Sequence, residues 1–214
     1  MSKIKLKNTL LIVFITIVFL LLYSFFVKSL YFQRLDSWVK LNRGFFLLLL
    51  FLWKVVATVW PPLTGGLATL GAIPFIGWEL AYLTDFSGSI AAGIIDYYLG
   101  RKYGVWILNK LFDEEVVEKI KKVKVKKARE IEAVFVYRVL FGSTIVEGIY
   151  YGAGVLGVSF KNFLIAAVFS HLTVGVPTFY LVRNILETRN IVLSVVSLLI
   201  AIPIFIKFRN RYFE

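Results

Sequence analysis

Long apolar segments alternate with short polar ones along most of this chain. The apolar segments cover 9–27, 44–60, 67–83, 86–100, 133–158, 160–182 and 190–206. Most of them approach the roughly 20 residues that a helix needs to cross the hydrocarbon core of a bilayer. The pattern therefore predicts an all-α integral membrane protein with several membrane-embedded helices.

Helix-breaking residues interrupt two of these apolar segments. The first interruption contains Pro61, Pro62 and Gly65, and the second contains Gly142. Backbone N–H and C=O groups that such breaks free are tolerated at membrane depth only where they are buried in protein or line a polar cavity. Paired breaks in the two halves of a transporter mark its binding site. We expect both segments to be re-entrant hairpins that bend at these four residues.

The distribution of basic residues predicts the orientation. Lys and Arg concentrate in the N-terminal tail, in the stretch 101–132 and at the C-terminal end, and the positive-inside rule places all three in the cytoplasm. The charges agree if hairpin 44–76 enters from outside and hairpin 133–158 enters from the cytoplasm. With spanning helices over 77–100 and 160–182, the chain becomes an inverted repeat. We expect a multi-pass protein of the cell membrane with both termini cytoplasmic.

Three regions follow from this topology. Residues 1–43 hold an N-terminal transmembrane helix and an interfacial amphipathic helix, 44–182 form the core with its basic connector 101–132, and 183–214 hold a C-terminal transmembrane helix and a basic tail. A signal peptide is the alternative for 9–27. We reject it because the segment exceeds a normal h-region and ends in bulky residues instead of a small-residue cleavage site.

Composition narrows the classes of function. The chain is 59% hydrophobic and 18% charged, with a mean hydropathy of +0.79, outside the range of soluble domains. It has no Cys and one His, so we expect no disulfide, metal site or cofactor. Without a recognisable catalytic motif, we also expect no enzyme activity. The net charge of +12 predicts anionic lipid headgroups as partners, and not nucleic acid.

Ionisable residues inside the apolar segments are candidates for function, because each costs about 2.5–3.5 kcal/mol on insertion. Glu79, Asp85 and Asp96 lie in the predicted helix 77–100. Asp85 and Asp96 are three helical turns apart, so they share a face that must look inward. For Asp85 the alternative to a functional role is a structural hydrogen bond to a broken helix. For Asp96 the alternative is pairing with Arg101.

The second hairpin carries Arg138 before its bend and Glu147 after it. Arginine does not lose its charge in proteins, so Arg138 needs a carboxylate partner or a bound anion such as a phosphate headgroup. An ion pair with Glu147 or Asp85 is the structural alternative. His171 lies midway along 160–182, where it either relays protons or packs as a hydrogen-bonded side chain.

A set of spaced residues across about 60–182 resembles the DedA/VTT superfamily, whose members are also called SNARE-associated Golgi proteins. The set comprises Pro62 with Gly71, the run Gly88-x4-Gly93-x3-Tyr97-x2-Gly100-Arg101-x2-Gly104, Arg138, Ala153-Gly154 and Phe163. The resemblance implies two opposed re-entrant hairpins and movement of lipid between leaflets. Members of this kind act as phospholipid scramblases or as carriers that recycle polyprenyl phosphate, some of them driven by protons.

The chain departs from the pattern of bacterial members at three polar positions. Thr64 stands where the pattern has an acid after the bend proline, Gly93 stands where it has an Asp, and Thr144 stands where it has a second Arg. Arg138 alone of this polar set is kept. The resemblance therefore supports lipid handling more strongly than it supports proton coupling.

The sequence thus favours a lipid transporter or scramblase in which Arg138, together with Arg101, attracts a lipid phosphate. The acyl or prenyl tail would stay in the bilayer, which removes most of the barrier to headgroup crossing. One alternative is a proton-coupled transporter of small solutes or ions that depends on Asp85. The other is a non-transporting membrane scaffold whose partner site is the basic connector 101–132.

Overall fold

A computed structural model describes residues 25–26, 28–61, 63, 65–123, 125–141 and 146–187. This part of the chain is helical and contains no strand, which confirms the all-α prediction. Its helices are α1 (Leu30–Leu41), α2 (Arg43–Val59), α3 (Gly65–Gly71), α4 (Ile73–Ile76), α5 (Trp78–Tyr103), α6 (Val105–Leu111), α7 (Glu114–Lys122), α8 (Glu130–Phe141), α9 (Val146–Val155) and α10 (Phe160–Glu187). The predicted helix within 190–206, the predicted helix within 9–27 except residues 25–26, and the bend residues Pro62 and Gly142 lie outside the described residues.

The chain divides into two compact units, of which one comprises residues 44–183. The other comprises the two terminal parts, and its described portion includes α1. Helix α1 begins after Ser29, whose side-chain oxygen accepts a hydrogen bond from the backbone N–H of Phe32 at 3.2 Å. This arrangement satisfies one of the N–H groups that every helix start leaves free.

One helix in the described part of the chain, Phe160–Leu186, is long and apolar enough to cross a membrane. It coincides with the predicted crossing over 160–182. Helix α5 has 26 residues, about 39 Å at 1.5 Å per residue, so it has the length but not the apolar character. Acidic, hydroxyl and glycine residues run through its middle, and they lie mostly inside the protein.

Helices α2 and α3 form the first hairpin. Trp60 and Pro61 lie in a turn that a hydrogen bond from Leu63 N to Trp60 O closes at 3.0 Å. Helix α3 then folds back, since a Cβ added at Gly65 would lie 3.1 Å from Cβ of Ala57. The returning arm is not one helix. It breaks between α3 and α4 and ends at Gly77, whose φ of 81° suits glycine and turns the chain into α5.

Helices α8 and α9 form the second pair. The guanidinium carbon of Arg138, near the end of α8, lies 4.8 Å from the ring centroid of Tyr150 on α9. The two residues lie at similar distances before and after the undescribed residues 142–145. Helix α9 therefore returns along α8.

Helix α5 lies at the centre of the 44–183 unit, and α9 crosses it at very short range. A Cβ at Gly100 would overlap the carbonyl oxygen of Tyr151, and a Cβ at Gly154 would overlap the carbonyl oxygen of Tyr97. The Tyr97 hydroxyl also donates a hydrogen bond to the carbonyl of Val158 at 2.7 Å. The end of α9 thus lies against the C-terminal end of α5. Helix α4, at the end of the first hairpin, leads directly into the N-terminal end of α5.

The connector contains helices α6 and α7. Helix α7 ends at Lys122, and Val117 is its buried residue. Ile120 packs against the same cluster, whereas Ile131 belongs to α8. Which valine reaches the core depends on how α7 packs against α6 and α9, and not on periodicity within α7 alone.

Glu130 joins the start of α8 to the start of α10. Its Oε2 accepts hydrogen bonds from the backbone N–H of Ser159 at 3.0 Å, from the hydroxyl of Ser159 at 2.8 Å and from the amide of Asn162 at 2.8 Å. Lys127 lies 3.1 Å from Oε1. A negative charge at a helix N-terminus is favourable. The backbone hydrogen bond from Ser159, followed by the side-chain donors, lowers the pKa of Glu130 to about 2.

We expect Glu130→Gln to lower the stability of the protein at neutral pH by about 1–3 kcal/mol, because charge-assisted hydrogen bonds are lost. Folding lowers the pKa of Glu130 from its ordinary 4.5 to about 2. The stabilisation is therefore complete above about pH 4.5 and is lost as the pH falls toward 2. Thermal unfolding in detergent should be measured from pH 7 to pH 3. The difference in unfolding temperature between wild type and Glu130→Gln should become smaller as the pH falls. Substitution of the exposed Glu132 by Gln is the control. A difference in unfolding temperature that does not change with pH would contradict the lowered pKa of Glu130.

Gly154→Ala should destabilise the α5–α9 contact, because its Cβ would overlap backbone atoms of Tyr97 and Arg101 that cannot move aside alone. We expect a loss of about 1–3 kcal/mol or more, as for other overpacked sites. Gly66→Ala is the matched control, since nothing lies within 4 Å of the added Cβ. Thermal unfolding of the two purified variants tests this, and equal unfolding temperatures would contradict the close approach.

Candidate functional site

Asp85 is the centre of a buried ion cluster that joins four helices. The residue is 5% exposed. Its Oδ1 lies 2.8 Å from Nζ of Lys54 on α2 and accepts a hydrogen bond from the Thr69 hydroxyl on α3 at 2.6 Å. Its Oδ2 lies 3.1 Å from Nε2 of His171 on α10. The structural alternative for Asp85, a hydrogen bond to the broken helix, is therefore present, and it occurs together with two further partners.

Lys54 is the site residue that sequence reasoning missed. It is the one charged residue in α2 after Arg43, and the rest of that helix is almost entirely apolar. The sequence did contain a signal, because Lys54 is a lone lysine in an apolar hairpin. Inserting its charge into a membrane is as costly as inserting the three carboxylates of α5, so the same argument makes it a candidate for function. Its partner could not be read from the sequence, because the contact with Asp85 depends on how the hairpin folds.

His171 lies in an aromatic environment beside Asp85. Its ring centroid is 5.7 Å from that of Tyr82 and 5.3 Å from that of Phe86. Nδ1 of His171 and the hydroxyl of Tyr82 are both buried, and neither has a hydrogen-bond partner among the described residues. Buried polar groups in proteins are generally paired with protein or ordered water. This part of the interior is therefore suited to water or a polar ligand.

Asp96 lies three turns further along α5 and is fully buried. Neither of its carboxylate oxygens has a hydrogen-bond partner within the described part of the chain. The nearby Tyr151 hydroxyl donates to the carbonyl of Val59 at 3.0 Å. The pairing of Asp96 with Arg101 is not formed. Arg101 instead donates from Nη1 to the Tyr97 hydroxyl at 3.2 Å.

Arg138 presents a guanidinium to the same interior. The residue is 8% exposed, and the ring of Tyr150 lies under its guanidinium. This is a cation–π contact, which is stronger when both groups are shielded from water. Nη1 is buried without a hydrogen-bond partner among the described residues. Neither of the ion pairs considered from sequence, with Glu147 or with Asp85, is formed among the ion pairs of the described residues.

Lys54 and Arg138 are the buried cations of the two hairpins. Nζ of Lys54 lies 2.8 Å from the carboxylate of Asp85, which also contacts His171. The guanidinium of Arg138 lies over the ring of Tyr150, and a Cβ added at Gly93 of α5 would lie 3.1 Å from that ring. Nη1 of Arg138 and Nδ1 of His171 are buried without a hydrogen-bond partner among the described residues. We call this buried polar region beside α5 and α10 the central cleft.

Four of the six predicted site residues lie in or beside this interior region: Asp85, Asp96, Arg138 and Glu147. The other two, Glu79 and Arg101, are exposed near the opposite ends of α5. No group of three or more carboxylate and imidazole side chains among the described residues is arranged to hold a metal ion. The cleft instead offers two fixed positive charges, a histidine and tyrosine hydroxyls, which together suit an anion with several oxygen acceptors.

Comparison with known proteins identifies one family. The family model for the VTT domain matches residues 62–184, which is more than half of the 214 residues of the chain. The matched region contains Asp85, Asp96, Arg138 and His171, whereas Lys54 precedes it. No curated protein and no solved structure matches the chain.

The stability of the protein should respond oppositely when the two buried carboxylates of α5, Asp85 and Asp96, are neutralised. Asp85→Asn leaves the Lys54 charge buried without its partner, and we expect a loss of about 3–5 kcal/mol. Asp96→Asn removes a buried acid that has no hydrogen-bond partner in the described part of the protein, so we expect a gain of about 1–2 kcal/mol. Thermal unfolding of both variants in detergent at pH 7 measures the difference. Similar losses from both substitutions would contradict the contrast.

Proposed function

The chain belongs to the VTT domain family, and on that basis we propose that it is a membrane transporter that moves lipid between the leaflets of a bilayer. The family is membrane-associated and is generally linked to membrane transport. In this proposal the transported molecule is a phospholipid or a polyprenyl phosphate, recognised by its phosphate headgroup. Transport involves no chemical conversion of the lipid.

The observation that carries the proposal is the buried guanidinium of Arg138. An arginine keeps its charge at any pH at which a protein is folded, and a buried charge without a partner is strongly unfavourable. Arg138 has a tyrosine ring below it but no carboxylate in contact among the described residues. A phosphate that enters the central cleft would supply the missing negative charge and accept two parallel hydrogen bonds from the guanidinium.

The surface of the helices around the cleft supports a place for the lipid tail. Large apolar side chains are exposed along α2 and along α10, among them Leu48, Leu52, Trp53, Phe169, Leu172, Val174 and Leu181. Exposed apolar surface of this extent is typical of contact with a membrane. We propose that the tail remains against this surface in the hydrocarbon region while the headgroup passes through the cleft, so that the tail never enters water.

The membrane arrangement is part of the same proposal. The two hairpins reach α5 from its opposite ends, which supports an inverted repeat in which one hairpin enters from each face of the bilayer. Broken and re-entrant helices are tolerated where they line such a cavity. The protein would then be a multi-pass protein of the cell membrane. Its basic connector and both of its termini would lie on the cytoplasmic side, close to anionic headgroups.

A proton-coupled transporter of small solutes is the second candidate. The observation that favours it is Asp96, a fully buried acid whose oxygens have no partner among the described residues. A carboxyl group in such a site can bind and release a proton during a transport cycle. Asp85 suits this role less well than the sequence indicated, because three donors hold its carboxylate.

Leaflet exchange of a fluorescent phospholipid in proteoliposomes tests the proposal. Wild type should exchange the lipid faster than protein-free liposomes, and Arg138→Ala should reduce the rate about tenfold or more, because a charge-assisted phosphate contact is lost. Arg129→Ala is the matched control. Arg129 is 70% exposed in its side chain and lies 3.8 Å from Glu132, so its loss should leave the rate unchanged.

Two outcomes would reject lipid transport by this site. One is a wild-type rate equal to that of empty liposomes, and the other is an Arg138→Ala rate equal to wild type. A pH-sensitive dye sealed in the same vesicles addresses the second candidate. Proton-coupled solute transport would be supported instead if the vesicles take up protons together with a solute, if Asp96→Asn abolishes this uptake, and if no lipid exchange occurs.

A further inference from the structure

Lys54 occupies a site that the fold has left open for it. Its side chain passes between α3 and α5 at two glycines. A Cβ at Gly88 would lie 2.6 Å from Cγ of Lys54, and a Cβ at Gly65 would lie 3.2 Å from its Cδ. Any larger residue at Gly88 would displace the lysine stem. The ammonium group therefore reaches the interior along a defined path, with its side chain 12% exposed.

Stability alone does not require the pair that Lys54 forms with Asp85. The desolvation of two buried charges offsets most of their attraction, so replacing a buried ion pair with uncharged side chains of similar size is often neutral or stabilising. The hairpin also has another bond to the same carboxylate, from the Thr69 hydroxyl. A lysine in an apolar helix, with glycines where its stem passes, therefore calls for a role beyond anchoring.

The position of Lys54 suggests that role. Its ammonium group and the ring of His171 share the carboxylate of Asp85, at 2.8 Å and 3.1 Å. Nδ1 of that ring is buried without a hydrogen-bond partner among the described residues, and so is Nη1 of Arg138 on the other hairpin. The ammonium group has three N–H donors, and among the described residues Asp85 is its ion-pair partner. An anion in the central cleft can therefore bind the remaining donors while Asp85 holds Lys54 in place.

We propose that Lys54 is a second headgroup-binding residue, which contacts the lipid phosphate from the first hairpin while Arg138 contacts it from the second. This inference rests on the proposed function and extends it, because the phosphate then bridges the two hairpins. Asp85 keeps the ammonium group aimed into the cleft and reduces its attraction for the phosphate, so the headgroup can leave after crossing. Thr69 and His171 hold Asp85 in this position.

The test is a double-variant cycle in proteoliposomes, read out as exchange of fluorescent phosphatidylglycerol. Lys54→Met with Asp85→Asn removes both charges together and leaves an amide that can still bond to Thr69 and His171, so the double variant should fold with an unfolding temperature close to wild type. We expect it to exchange lipid about tenfold or more slowly, with a half-saturating lipid fraction raised to a similar extent. Lys54→Gln with Asp85→Asn provides the same test if Met packs poorly. Exposed Lys110→Met is the control for loss of one positive charge.

The outcomes separate this inference from the proposed function. A folded double variant that exchanges lipid at the wild-type rate would overturn the role of Lys54 and leave the pair as a structural contact. If Arg138→Ala is slow in the same vesicles, lipid transport itself still stands. Wild-type protein that is no faster than empty liposomes would instead reject lipid transport altogether. A slow, folded double variant beside an active Lys110→Met variant would support the inference.

Discussion

A buried negative charge must be paired, and the arrangement of the first half of this protein depends on how that requirement is met at Asp85. Its two oxygens take a lysine and a hydroxyl from the first hairpin and an imidazole from α10. Helices α3 and α4 are too short to be stable alone. Their positions therefore depend on contacts such as this one, and the carboxylate serves as the common point that sets the hairpin and α10 against α5.

The second half is held differently. Gly100 and Gly154 have no side chains, so the backbones of α5 and α9 approach each other closely at these two positions. Such a close approach favours van der Waals contact and needs no charge. The aromatic groups of Tyr97, Tyr150 and Phe163 fill the space beside this crossing. One hairpin is thus fixed by ions and the other by close packing. Between them remain polar groups that neither type of contact satisfies, and these define the central cleft.

Much of the site was predictable from the cost of burying polar groups. Asp85 and Asp96 share a face because of their spacing, and Arg138 requires an anion because of its chemistry. The partners were not predictable. Whether Asp85 meets Lys54 or Arg138 depends on where a hairpin tip lies, and periodicity carries no information on that point. The same limit applies to α7, because its periodicity alone does not identify Val117 as its buried valine.

The link made by Glu130 has a mechanical consequence. The basic turn at Lys127 and the first residue of α8 are both bound to the segment where α10 begins. From there α10 runs as one continuous helix to His171, about 17 Å at 1.5 Å per residue. A helix of that length behaves as a stiff rod. A pull on the connector, such as its adhesion to a charged surface, would therefore pass through the bonds of Lys127 and Glu130 and along α10 to the imidazole that holds Asp85.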